Sequence, residues 1–409
     1  MKTPKVVILG AGYGGLVTSR QLEKTLRSGE AEVTLINKHD YHYISTQLHK
    51  TGAGTAADEK ITLHIPDLLQ ANKVQFKKGT IENVDFNSKR VLLESGEKVD
   101  YDYLLICLGF EVDTFGIPGV EENAFKIRSF RTTKAIYNHI LRQFAAYKED
   151  RDPSRLTFAV AGAGFTGIEM VGELLEAIPK LCKTYDIPVN ETRIVNIEAS
   201  QTVLPGFDNE AIEFTTNYVK KHGVELMTGT KILECSPTTI TLDNGEELPA
   251  RTLIWSGGVR GNTLLEKLAL PITKGRIPVD QHLRVMGMED VFCIGDAAMF
   301  MKNDDTALPP TAQVAIQQAE VCGPNIISSL RGEPLKVFEY HHKGTVASIG
   351  NKAAVGKVFG LKISGLFAAL MKQVIEARYL FVLGGPKLIV KQFFKFGKPQ
   401  SKIAISNQK

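Results

Sequence analysis

The sequence predicts an α/β fold: two doubly wound, parallel-sheet units followed by a basic, amphipathic C-terminal region. Three observations predict it. Lys5 to Gly15 (KVVILGAGYGG) runs an apolar strand pattern straight into Gly10, Gly12 and Gly15, and a helical pattern follows through Leu16, Val17 and Leu22. Arg155 to Glu169 (RLTFAVAGAGFTGIE) does the same with Gly162, Gly164 and Gly167. From Lys336 onward twelve Lys and one Arg face only Glu339 and Glu376, although the whole chain of 409 residues carries a net charge of just +4. That length suits two or three domains, each with its own core.

Each glycine turn reads as the opening of a Rossmann-like, dinucleotide-binding unit. The first glycine makes the tight turn and the second lets backbone approach a pyrophosphate. The third permits close helix–strand packing, and the helix N-terminus favours the phosphate charge. Glu32 to Asn37 (EVTLIN) is then the second strand of the first unit. Where an acid ordinarily holds a ribose, this chain offers Asn37 and Lys38. Residues 41–56 read as a polar, glycine-bearing loop and helix start, and His39, His42 and His49 as core or surface histidines rather than metal ligands. Val74–Phe76, Gly79–Val84 and Val91–Leu93 read as short antiparallel strands, with a turn at Ser95-Gly96. Tyr103 to Gly109 is a buried strand whose terminal Gly109 lets backbone approach a ligand.

Ile117-Pro118-Gly119 and the polar stretch from Lys148 to Pro153 bracket the passage to the second unit, with a helix over 132–147 between them. There, Phe165 and Thr166 lie inside the second turn, and Arg193 to Glu198 (RIVNIE) mirrors EVTLIN but ends in an acid. A carboxylate at Glu198 accepts from a free 2′-hydroxyl and repels a 2′-phosphate, which predicts NADH over NADPH. Val224–Met227, Lys231–Cys235 and Thr239–Leu242 form a further β layer, and Thr252–Gly258 mirrors the strand ending at Gly109, presenting Gly257 and Gly258. Val291 to Ala298 (VFCIGDAA) returns to the first unit, and Asp296, just after a strand-end glycine, suits a polyol or ribityl hydroxyl. The predicted division is 1–113 and 280–335 for a discontinuous FAD unit, 114–279 for an inserted NADH unit, and 336–409 for a membrane-interface region.

The small net charge gives no ground for a nucleic-acid partner. The five cysteines are scattered without a C-x-x-C or C-x-x-x-x-C pair. With the first strand pattern starting almost at Met1 no signal peptide is expected, and no apolar run is long enough to span a bilayer.

At this point the chain resembles the two-dinucleotide-binding-domain flavoproteins. Among them it resembles the type II NADH:quinone oxidoreductases, single-subunit respiratory enzymes that do not pump protons. The residues that carry the resemblance are Gly10-Ala11-Gly12-Tyr13-Gly14-Gly15, Gly162 to Glu169, Trp255 to Asn262 (WSGGVRGN), Ile294-Gly295-Asp296 and Pro310 to Gln317 (PTAQVAIQ). The last fits an A-Q-x-A-x-Q quinone-site pattern through Ala312, Gln313, Ala315 and Gln317.

The resemblance implies noncovalent FAD held through Gly10 to Gly14, Asn37, Lys38, Ile81, Asp296 and Ala312-Gln313, with Lys372 near the flavin or quinone. It places Glu169 beside flavin and quinone, where a pKa raised by burial would let it relay a proton. Gln317, with Gln313, would meet a quinone carbonyl. The implied cycle passes a hydride from NADH to the flavin, then two electrons and two protons to menaquinone or ubiquinone. A homodimer is implied, peripheral on the cytoplasmic face of a bacterial cell membrane.

The tail gives that membrane reading its own support. Residues 364–383 are apolar but interrupted by Lys372, Glu376 and Arg378. In Lys387 to Lys398 (KLIVKQFFKFGK), Lys387, Lys391 and Lys395 stack at i+4 while Ile389, Val390, Phe393 and Phe396 spread over the other side. This is the pattern of a helix lying in a membrane interface. Disulfide reductases and sulfide:quinone oxidoreductases share the fold but need a cysteine pair near the flavin, and a soluble ferredoxin reductase needs no such tail. A slow flavin redox sensor is the alternative from outside the enzymes.

Overall fold

The computed structural model describes residues 2–303 and 306–394. Two five-stranded sheets form its body, and both are parallel throughout. In the first the strand order is Val291–Cys293, Tyr103–Ile106, Lys5–Leu9, Glu32–Asn37, Val74–Lys78. In the second it is Phe125–Lys126, Thr252–Trp255, Thr157–Ala161, Arg193–Glu198, Val224–Thr228. The glycine-turn strand is central in each, so its apolar run is buried on both faces, as parallel strands require.

Five helices position the site: α1 (Tyr13–Thr25), α2 (Leu48–Ala53), α3 (Phe165–Tyr185), α4 (Ala312–Arg331) and α5 (Gly365–Phe394). α1 and α3 begin directly at the two turns. In α4, Gly323 lies against Thr18 and Gln21 of α1, which brings a late segment onto the first unit. A three-stranded antiparallel sheet, Gly344–Ser348, Ala354–Val358 and Leu361–Ser364, leads into α5. α5 is broken at Gly385, whose left-handed backbone (φ 64°) is followed by Pro386.

Two sequence expectations are corrected. Val74–Lys78 is no part of the antiparallel layer. It pairs parallel with Glu32–Asn37 as the edge of the main sheet, because Val74 completes the first core. The antiparallel layer is instead Ile81–Asp85, Arg90–Leu93 and Lys98–Asp100. The strand from Tyr103 stops at Ile106, and Gly109 follows in a left-handed turn at φ 72°.

Lys395, Phe396 and Lys398 lie outside the described residues. Within them, the apolar exposure of the tail begins well before the lysine-spaced stretch and reaches into it at Val390, 51% exposed. Leu366, Phe367, Leu370, Val374 and Phe381 are each more than half exposed, alongside Phe359 at 80% and Leu361 at 72%. Tyr379, Leu383 and Leu388 are instead buried in the first core. Among the described residues no helix is long and apolar enough to cross a membrane.

Candidate functional site

The two glycine turns are built alike. Gly10 (φ 99°) and Gly162 (φ 91°) take backbone conformations that L side chains rarely adopt. A Cβ on Gly15 would run into the carbonyl oxygen of Gly10, and one on Gly167 into that of Gly162. Gly12 and Gly164, the helix N-caps, are the reverse: a Cβ there meets nothing within 4 Å. No side chain caps either helix and no acid in the first turn serves one, so the leading N–H groups face open cradles. Such cradles fit the pyrophosphates of FAD and NADH. Tyr13 and Gly14, and likewise Phe165 and Thr166, open the two helices.

Asn37 and Glu198 end the second strands, and each braces its own turn. Ala11 N–H donates to Asn37 Oδ1 at 3.1 Å, and Ala163 N–H donates to Glu198 Oε2 at 2.5 Å. Glu198 also accepts from Ser200 N–H at 2.7 Å. Gly79 N–H donates to the Asn37 carbonyl, and Ile81 starts the next strand, half-buried against the first core. Burial and the neighbouring Arg128 lower the pKa of Lys38. Gly257 and Gly258 follow the strand Thr252–Trp255, with Gly257 exposed.

Asp296 sits in the 3₁₀ turn Gly295–Ala297 beside α4, where Gly295 N–H donates to Gln318 Oε1 at 2.7 Å. Burial lifts its carboxyl to about 6, against the pull of Arg276. Gln313 and Gln317 occupy the first turns of α4, and their amides are spent on the segment 340–344. Gln317 Nε2 donates to the His341 carbonyl at 3.0 Å while its Oε1 accepts from His341 N–H at 3.1 Å. Gln313 donates to the Gly344 carbonyl and accepts from Lys343 N–H and the Tyr340 hydroxyl.

Glu169, 6% exposed in the second turn of α3, is where four elements meet. Its Oε1 accepts from Lys372 Nζ of α5 at 2.6 Å, and from Ser348 N–H and Oγ–H at 3.2 and 3.1 Å. Its Oε2 lies 3.3 Å from His49 Nδ1 of α2. Lys372 also donates to the Val346 carbonyl at 3.1 Å. The expected raised pKa is corrected. Burial does push it up, but the Lys372 ammonium, His49 and the hydrogen bonds outweigh burial, so the carboxyl lies below its usual range. Lys372, by the same pairing, is raised despite its burial.

Several site residues carried no sequence signal of their own. His42 is buried, with Nδ1 3.0 Å from the Ala11 carbonyl and Nε2 2.9 Å from Tyr379 Oη. Since a carbonyl only accepts, Nδ1–H donates to it and the tyrosine donates to Nε2. That ties the first turn to α5. Ser348 and His49 reach Glu169 from distant segments, and Glu173 follows Glu169 by one turn of α3. The five cysteines are all free and buried, so the fold here carries no disulfide beside the first turn.

Comparison with known proteins agrees with this geometry. The sequence pattern of the pyridine nucleotide-disulphide oxidoreductase family matches residues 4–319. A type II NADH:quinone oxidoreductase of Staphylococcus saprophyticus is 40% identical over 394 residues, covering 95% of this chain and 98% of that protein. The fold is similar to NDH2 of Plasmodium falciparum, solved in complex with NADH, at TM-score 0.85 and 21% identity over 97% of this chain and 98% of that one. It is also similar to the sulfide:quinone oxidoreductase of Aquifex aeolicus, at TM-score 0.77 and 18% identity over 96% and 95%. The chain therefore belongs to the pyridine nucleotide-disulphide oxidoreductase family and, within it, to the type II NADH:quinone oxidoreductases.

Proposed function

We propose that this chain oxidises NADH and reduces a membrane quinone, menaquinone or ubiquinone, to quinol through noncovalent FAD, and that it pumps no protons. The observation that carries the reading is the pair of open glycine cradles, with one buried, cation-paired Glu169 at the start of the second helix. FAD, when bound, supplies a carrier that takes two electrons from NADH and gives them to the quinone. The turn at Gly10 to Gly15 holds its pyrophosphate on the N-terminus of α1, with Asn37, Lys38, Ile81, Gly109, Asp296, Ala312, Gln313 and Lys372 around the rest.

In the second unit Gly162, Gly164, Phe165, Thr166 and Gly167 receive NADH, Glu198 takes its ribose hydroxyls, and Gly257 and Gly258 leave room at the strand ends. Glu169, kept ionised by Lys372, takes up a proton and relays it toward the quinone. Gln313 and Gln317 line the quinone side. A hydrogen bond from Gln317 to a quinone carbonyl requires its pair with His341 to open. Residues 1–113 and 280–335 form the FAD unit and 114–279 the NADH unit.

Residues 336–409 reach the membrane. Clustered exposed apolar side chains of this kind mark contact surfaces, and a lipid-soluble acceptor gives this one its purpose. A homodimer through the same C-terminal region, on the cytoplasmic face, completes the reading. Replacing Phe367, Leu370 and Val374 by Ser should abolish flotation with anionic vesicles while FAD stays bound; undiminished flotation contradicts the membrane assignment. Removing residues 386–409 is the blunter test, because Leu388 also belongs to the first core. For the reaction itself, the purified protein should be yellow, be bleached by NADH without oxygen, and regain its colour on adding a short-chain quinone. Recovery with oxygen alone would favour an oxidase or sensor.

A further inference from the structure

On the crossover from the first unit to the second, one aromatic residue stands in a conformation that its type resists. Phe115 takes the left-handed backbone at φ 53°, where a bulky side chain is rare, and it is nonetheless 62% exposed. Core packing therefore does not account for the strain. The turn is held in place through Asp113. Its N–H donates to the Gly258 carbonyl at 3.1 Å, its own carbonyl accepts from Trp255 Nε1 at 2.8 Å, and its Oδ1 accepts from Phe115 N–H at 2.8 Å. Strain that the surroundings hold in this way gathers at functional positions.

The ring stands over the wall of the second cradle. Its tip, Cζ and Cε2, lies where a Cβ on Gly258 would be, and it meets Trp255 edge to face with centroids 6.4 Å apart. Gly257 comes next and is exposed, and a Cβ on Gly162 would lie 3.2 Å from its Cα. The second glycine turn, Gly257, Gly258 and Phe115 thus form one continuous surface. Glu198 stands on the other side of that turn, because the strand Thr157–Ala161 runs between Thr252–Trp255 and Arg193–Glu198. A dinucleotide with its adenosine ribose at Glu198 and its pyrophosphate on α3 leaves the cradle on the Phe115 side with its nicotinamide half.

We propose that Phe115 is the stacking face for the nicotinamide ring of NADH. The proposal rests on NADH occupying the second turn, as argued above. The reduced nicotinamide is flat and uncharged, and a phenyl ring offers it an apolar face. When its C4–H bond breaks and the hydride passes with both electrons to the flavin, the nicotinamide becomes a cation. The negative face of Phe115 attracts that cation more than the neutral ring, so the contact strengthens as the charge develops. One face of the nicotinamide must meet the flavin, and Phe115 takes the other.

The test uses the intact flavoprotein, and calorimetric titration of its oxidised form with NAD⁺ reads binding without turnover. Phe115→Gly removes the ring and suits the left-handed backbone, so it should weaken NAD⁺ about fivefold while Tm holds or rises. Binding of ADP-ribose, which lacks the nicotinamide, should not change. Phe115→Tyr, which keeps the ring face, should restore NAD⁺ binding. In stopped-flow bleaching by NADH, Phe115→Gly should also lower the limiting rate, as loss of a contact to the developing cation requires. Wild-type NAD⁺ affinity in Phe115→Gly overturns the proposal. An equal loss of ADP-ribose binding overturns it too, by putting the ring under the adenosine half, and a fall in Tm alongside the lost binding would reduce Phe115 to packing. If Gly167→Val binds NAD⁺ normally, the second turn itself fails as the NADH site; if Gly167→Val alone is weak, only the assignment of Phe115 is wrong.

Discussion

The two glycine turns share a backbone and differ in what the backbone serves. Both place a positive-φ glycine at the strand end, an open N-cap glycine, and a third glycine pressed on the first one's carbonyl. Five residues beyond the N-cap the likeness ends. The first helix carries Val17, fully buried in an apolar core, and the second carries Glu169, also buried but held by Lys372, Ser348 and His49. The second strands diverge as well, Asn37 against Glu198. The lesson is that the turn sets where a dinucleotide lies, while the side chains one turn on and at the next strand end set what is done there. A buried carboxylate needs compensation, and α2, the strand Gly344–Ser348 and α5 all bring it to the second helix.

The largest effect should come from breaking the first turn. Gly15→Val drives a side chain into the Gly10 carbonyl and should cost about 3 kcal/mol or more. Its preparation should be colourless, with lowered Tm, and should take up no FAD on reconstitution. Next comes the divergent helix position. Glu169→Gln should cut quinone-linked turnover by about tenfold to a thousandfold while the yellow colour and bleaching by NADH persist. A fall confined to NADH affinity would move Glu169 to the nicotinamide side.

The strand-end difference gives a smaller effect. Glu198→Gln combined with Ser200→Arg removes the charge that repels a 2′-phosphate and should raise NADPH use relative to NADH by about tenfold in kcat/KM. No rise would mean Glu198 serves only to brace Ala163. The smallest is a pH effect at the first turn. His42 is held at about 4 by burial, below its ordinary 6.5, so the unfolded chain binds the extra proton between those values. Stability should therefore fall as pH drops from 6.5 toward 4. His42→Gln should flatten that limb of a Tm-against-pH curve; an unchanged limb would assign it to other groups.

Much of this was legible in the sequence because it is local. A glycine turn between an apolar strand and a helix is written in a dozen consecutive residues, and Asn37 and Glu198 follow at a fixed topological place. The partners of Glu169 were not legible, because His49, Ser348 and Lys372 come from three distant segments with no shared spacing. The direction of its pKa went wrong for the same reason: burial was visible, the ammonium beside it was not. The strand Val74–Lys78 was misplaced because a short edge strand looks the same whether its neighbour is parallel or antiparallel. In the tail, the i+4 lysines drew notice to 387–398, while the exposed apolar cluster depends on how α5 leans on the first core.

The central claim is that the first turn keeps a resident flavin and the second admits a passing nicotinamide. The absorbance spectrum of purified Gly167→Val, before and after NADH and then dithionite, tests it most directly. A yellow protein that NADH leaves coloured and dithionite bleaches is the predicted result. A colourless protein, or one that NADH bleaches as fast as wild type, would contradict it.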